Sequence, residues 1–192
     1  MQYYFSLRFK FTFDGKAKTD TVCFAYCYPY TVSKLQRFLK EENLQQKGTD
    51  IFSESTLCKS LSGMDVPLLT ITSRLHSDPK GYGMIKMSEF EETDSRLSLP
   101  LYKRKKYAII SARVHPGESN GSYMMQGLIK YLLGESHQAK ELRKRIVFKI
   151  IPMSNPDGVV IGNYRTSMVG HDLNRRYHEP DFRLHPTIVA IK

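Results

Sequence analysis

Two clusters in this sequence hold residues of the kinds that catalysis needs. The first is Arg113-Val114-His115-Pro116-Gly117-Glu118. A neutral imidazole and a carboxylate are both good zinc ligands, and a catalytic zinc takes three protein ligands and keeps one position open. Pro116 and Gly117 let the chain turn sharply, so that both side chains can reach one ion. His-x-x-Glu alone is a weak signal, which also reads as an exposed histidine beside a helix start. The second cluster begins with Asn155-Pro156-Asp157-Gly158, which is good turn chemistry. Gly162-Asn163-Tyr164-Arg165 and Gly170-His171-Asp172-Leu173-Asn174-Arg175-Arg176 follow it. An arginine fork meets a carboxylate bidentately, and an asparagine adds a further donor. An arginine near a metal can stabilise the oxyanion that forms from a carbonyl. Taken singly, each of these residues also reads as a solvated loop side chain.

In this order and spacing, HPGE, NPDGV, GNYR and DLNR resemble the zinc metallocarboxypeptidases. The likeness is greatest to the cytosolic carboxypeptidase branch, which includes the tubulin deglutamylases. FAYCYPYTVSKL (24–35) and LCKSLSGMDVPLLTITS (57–73) resemble the beginning of that branch's catalytic domain, so the resemblance runs over most of residues 3–178. It implies that His115 and Glu118 hold one Zn2+ ion. It implies that Arg165 stabilises the oxyanion and that Asn174 and Arg175 grip the substrate's C-terminal carboxylate. The implied activity is zinc-dependent removal of C-terminal residues. The branch, with mild support from the basic charge, implies glutamates on acidic protein tails such as those of tubulin, in the cytoplasm and in association with cytoskeleton or cilium. The family's third zinc ligand, a histidine, and its general base, a glutamate, have no matching positions here. Both are expected beyond Lys192, and the chain is expected to be the N-terminal portion of a longer enzyme. His171 stands at a variable position of the motif, and His178 and His185 read as surface residues. Two other functions compete: a non-catalytic binding module for acidic C-termini, and a related zinc deacylase. The NPDG, GNYR and DLNR set favours the peptidase.

These residues need a scaffold. YAIISARV (107–114) and RIVFKIIPM (145–153) are near-continuous apolar runs, expected to be strands buried on both faces. Between them, 119–133 reads as a helix with Met124, Leu128, Tyr131 and Leu132 on one face and Gly134 as its stop. A short basic helix over 136–144 follows. VPLLTITS (66–73) is a further strand, and Thr31 caps a helix carrying Leu35, Phe38 and Leu39. Residues 43–65 read as polar and irregular, and 74–100 as a long loop. At the N-terminus, Tyr3 to Phe13 alternate with period two and 21–28 is apolar, which predicts a hairpin around Asp14-Gly15. Cys23 and Cys27 then share a strand face and read as buried apolar residues. The expected fold class is α/β: a partial, carboxypeptidase-type mixed sheet flanked by helices, preceded by the end of a small β domain. The division is residues 1–28 for the last strands of that β domain and 29–192 for the catalytic portion.

Composition bounds the alternatives. The chain has 192 residues, 29 Lys and Arg against 19 Asp and Glu, and a formal charge of +10. At 41% apolar and 25% charged it is neither disordered nor fibrous. The charge suits acidic partners. Its densest run, Lys103 to Lys106, reads as a solvated turn before a strand, with no zinc-finger, RNA-recognition or helix-turn-helix signature beside it. Nucleic acid is therefore not an expected partner. Nor is a membrane, since no apolar run approaches the roughly 18 residues of a span. Three cysteines, an odd and sparse count, fit a reducing compartment. Asn120-Gly121-Ser122 is a glycosylation sequon only formally.

Overall fold

The computed structural model describes residues 6–13, 21–46, 49–73 and 105–192. The turn at Asp14-Gly15, the loop over 74–100 and Lys103-Arg104 lie outside the described residues. Helix α1 is Val32–Gln45, with the Thr31 hydroxyl accepting the Lys34 N–H at 3.1 Å. Strands β1 (Phe52–Lys59), β2 (Asp65–Ile71) and β3 (Lys106–Ser111) follow. Helices α2 (Ser119–Leu133) and α3 (His137–Arg145) lead into β4 (Ile146–Ile151). A short helix α4 (Pro156–Ile161), a 3-10 turn (Leu173–Arg175) and a last helix α5 (Pro186–Ile191) complete the order.

The four strands form one mixed sheet in the order β1-β2-β4-β3. β2 is antiparallel to β1 and to β4, whereas β3 runs parallel to β4 with Ile110 opposite Ile150. The crossover from β3 to β4 is made by α2 and α3, which is how parallel strands must be joined. Leu69 and Ile71 of β2 and Phe148 and Ile150 of β4 pack with Leu35, Phe38 and Leu39 of α1 and Ile129, Leu132 and Leu133 of α2. Val147 and Ile151, of opposite parity on β4, point to the other face and are buried there. Among the described residues no helix is long and apolar enough to cross a membrane.

The α/β class and the helix-flanked mixed sheet are as expected. Several local expectations are corrected. β1 lies inside the stretch read as irregular: Phe52 is its only fully buried residue, so its alternation is weak. β3 is shorter than expected and, among the described residues, bonded on one side only, which leaves Ile109 63% exposed rather than buried. The inner face of α2 is Met125, Ile129, Leu132 and Leu133, while Met124 is 73% exposed. SYMMQGLIKYLL is apolar on two helical faces, and the sheet selects the second. Residues 6–13 and 21–28 carry no strand. Phe24 stacks on Phe9 and Phe11, with ring centroids 5.1 and 5.5 Å away, but all three rings face solvent. A two-stranded hairpin is marginal without a covering layer. Cys23 and Cys27 are exposed, not buried.

Candidate functional site

β3 and β4 are parallel neighbours, so their C-terminal ends lie side by side. Sites in open α/β sheets gather at such ends. Past the strands the pairing continues: Ala112 N–H donates to the Ile151 carbonyl at 3.0 Å, and Ser154 N–H to that of Ala112 at 2.9 Å. Asn155 then joins the two motifs. Its Oδ1 caps α4 by accepting the Gly158 N–H at 3.0 Å, and its Nδ2 donates to the Val114 carbonyl at 3.2 Å. NPDG is thus a capped helix start rather than a free turn. Gly158 and Gly117 are close approaches. A Cβ on Gly158 would strike Pro116 and come 2.8 Å from the Thr166 carbonyl oxygen. One on Gly117 would strike the Tyr164 ring and lie 2.8 Å from that residue's carbonyl oxygen. The glycines let three segments touch.

These contacts converge on His115. The ring is buried, and both its nitrogens face carboxylates. Nδ1 lies 3.0 Å from Glu118 Oε1, and Nε2 lies 3.0 Å from Asp172 Oδ1. Asp172 also caps the 3-10 turn by accepting the Asn174 N–H at 2.9 Å. On its other oxygen it accepts Arg165 Nε and Nη2, each at 2.8 Å. Burial raises the Asp172 carboxyl, but the hydrogen bonds from His115, Asn174 and Arg165, with the Arg165 charge, outweigh it and hold it below the usual carboxylate range. The result is one chain of polar contacts, Glu118–His115–Asp172–Arg165. It brings three of the sequence-predicted site residues together. Asn174 and Arg175 stand on the turn that Asp172 caps, with exposed side chains; Arg175 Nη1 donates to the Asn174 carbonyl at 3.3 Å.

The donor set suits a metal at Nδ1. A neutral imidazole has one N–H. If Nε2 gives it to Asp172, Nδ1 turns a lone pair towards Glu118, and a cation between the two satisfies both. Metal-binding histidines characteristically donate their other N–H to a carboxylate. Among the described residues no group of three or more His, Cys, Asp or Glu could hold an ion. His115 and Glu118 therefore fit two positions of a three-ligand site.

Sequence reasoning gave Asp172 no role, although it lies inside the DLNR motif. Its signal was an aspartate two residues before Asn174, a capping position that leaves one oxygen for other work. His185 is corrected from surface to buried, at 3% exposure, with its ring nitrogen 2.8 Å from His171. His178 is exposed, as expected.

Residues 39–186 match the zinc carboxypeptidase family, to which this chain belongs. It is 40% identical over 191 residues to mouse (Mus musculus) cytosolic carboxypeptidase 1, covering 98% of this chain and 14% of the relative. It is 44% identical over 168 residues to zebrafish (Danio rerio) cytosolic carboxypeptidase 2, covering 88% of this chain and 20% of that one. The fold is similar to a metallo-carboxypeptidase from Burkholderia cenocepacia, with a TM-score of 0.64 and 30% identity over 85% of this chain and 37% of the other. The chain thus spans between a seventh and a fifth of the length of these two cytosolic carboxypeptidases.

Proposed function

We propose that this chain supplies the first half of the active site of a zinc-dependent metallocarboxypeptidase that removes C-terminal residues. The observation that supports this reading most is the contact chain Glu118–His115–Asp172–Arg165, in which a ligand pair and an arginine meet through one carboxylate. His115 Nδ1 and the Glu118 carboxylate hold the ion. Bound zinc supplies Lewis acidity at the scissile carbonyl. Asp172 keeps the His115 proton on Nε2 and orients the ring. Arg165 stabilises negative charge developing on the carbonyl oxygen. Asn174 and Arg175, exposed on their turn, take the free carboxylate of the substrate and so restrict cleavage to chain ends. A third ligand, a histidine, and a general base, a glutamate, would complete such a site. Residues 29–192 are taken as the catalytic portion.

The substrates are acidic protein tails, with glutamate as the residue removed and tubulin as the model case. The +10 charge supports this, and the relatives' name supports a cytoplasmic location. The test is release of free glutamate from a glutamate-ended peptide by the complete enzyme, with the same peptide amidated at its C-terminus as control. Release from the free acid alone, abolished by a chelator and restored by zinc, is expected. Equal release from the amide would remove the carboxylate role of Asn174 and Arg175. No release by a zinc-loaded enzyme would remove glutamate as the residue taken.

A further inference from the structure

Arg113 lies between the end of β3 and His115, and it departs from two local rules. Its φ is +56°, a left-handed conformation that residues other than glycine seldom adopt and that persists only where surrounding contacts over-determine it. Its side chain is 6% exposed, and every hydrogen bond of its guanidinium goes to an oxygen without formal charge. A buried charge is costly unless its donors are used.

Those bonds show what the contacts determine. Nε and Nη2 both donate to the Pro116 carbonyl, at 3.0 and 2.6 Å. Nη1 donates to Ser122 Oγ at 2.8 Å and to the Tyr30 carbonyl at 3.1 Å. Pro116 lies between His115 and Glu118. Ser122 lies one turn into α2, which begins directly after Glu118. Tyr30 is a buried residue just ahead of α1. One rigid fork therefore ties the loop between the two ligands to the helix that follows them and to a third segment. None of these bonds reaches His115 or Glu118 itself. Stability alone is a poor reason for such a residue, because glycine would make the same turn without strain.

We propose that Arg113 is a positioning residue for the metal: its guanidinium fixes the Pro116 carbonyl and so keeps His115 Nδ1 and the Glu118 carboxylate converged. The proposal rests on the assignment of those two residues as zinc ligands. A lysine cannot replace the fork, since its ammonium is a point charge without the planar pair of donors.

The test is the zinc affinity of the complete enzyme, read by competition with a chromophoric chelator. Arg113→Gly keeps the turn and removes the fork. It is expected to bind zinc ~10-fold more weakly, the low end of the range for groups that bond a ligand directly, because Arg113 acts through the Pro116 carbonyl. Added guanidinium ion, well below denaturing concentration, is expected to restore part of that affinity. Arg113→Lys should lose affinity as well. Ser122→Ala removes one acceptor and leaves the Pro116 contact, so it should fold and show a smaller loss in the same direction. Parent affinity in Arg113→Gly overturns the proposal. If that variant does not fold, parent affinity in folded Arg113→Lys, which lacks the planar pair of donors to the Pro116 carbonyl, overturns it instead. A loss of melting temperature with unchanged zinc affinity marks a purely structural arginine. A parent enzyme that binds no zinc removes the ligand assignment, and this proposal with it.

Discussion

Helix α2 is held at both ends by a buried arginine, and the two ends differ. At the C-terminal end, Arg143 Nη1 donates to the carbonyls of Leu132 and Gly134, the latter at 2.8 Å. Those carbonyls have no partner within the helix, and a cation there is favoured by the helix dipole. The arrangement follows elementary rules and serves the fold. At the N-terminal end, Arg113 places a cation where the dipole disfavours it, on a strained backbone, with burial pulling its pKa down. Departures from local rules concentrate where function is built. On the proposed reading, the same chemistry serves stability at one end of the helix and ligand geometry at the other.

The largest test of this contrast is at the end assigned to stability. Arg143→Met removes the donors for both α2 carbonyls while keeping much of the buried volume. Leaving buried acceptors unsatisfied should lower stability by about 2–4 kcal/mol. Urea unfolding of the enzyme should show a lower midpoint with an unchanged slope. The folded fraction should bind zinc as the parent does; a matching loss of zinc affinity would erase the distinction between the two ends.

Asp172→Asn probes the site end with a smaller cost in stability. The amide keeps the size and one acceptor for His115 Nε2, but it loses the charge that pairs with Arg165 and fixes the tautomer. Zinc affinity should fall ~10-fold or more, as for other carboxylates behind a ligating histidine. The melting temperature should change by a few degrees at most, since the Asp172 contacts lie at the rim of the core. Unaltered affinity would mean that His115 is oriented by its burial alone.

The difference between the two ends also explains what could be read in advance. His115 and Glu118 are three residues apart, and their pairing as candidate ligands is local chemistry. The strands and helices that carry them announce themselves by apolar period. Asp172 contacts His115 across 57 residues, and nothing in the spacing of DLNR says which side chain it meets. Arg113 reads as one more basic residue until its φ and burial are seen. β1 was illegible because FSESTLCK buries so little, and the inner face of α2 because two of its faces are equally apolar. Sequence pattern registers how much apolar surface an element offers. It does not register which of two faces a sheet will choose, or which distant polar groups will meet.

His185 shows the same limit and gives the smallest expected effect. The Asp181 N–H donates to its Nδ1 at 2.9 Å, so the neutral ring carries its proton on Nε2 and donates it to His171 Nδ1 at 2.8 Å. Burial first, then the His171 and Arg176 charges, push its pKa below the ordinary 6.5, against the pull of Asp181. The unfolded chain protonates this histidine at a higher pH than the folded one does, so it binds more protons as pH falls. The stability that neutral His185 contributes is complete above about pH 6.5 and is lost as pH drops through the folded value. Urea midpoints should decline as pH falls below about 6.5, and His185→Gln should flatten that decline by the share of this one group. An unflattened profile would mean that His185 is not held neutral. His171 adjoins Asp172, so zinc affinity should be followed over the same range in both proteins. If the variant's affinity tracks the parent's at every pH, the histidine pair belongs with Arg143, as a device of the fold. If the two profiles diverge as His185 titrates, the pair belongs with Arg113, and the influence of the site extends to α5.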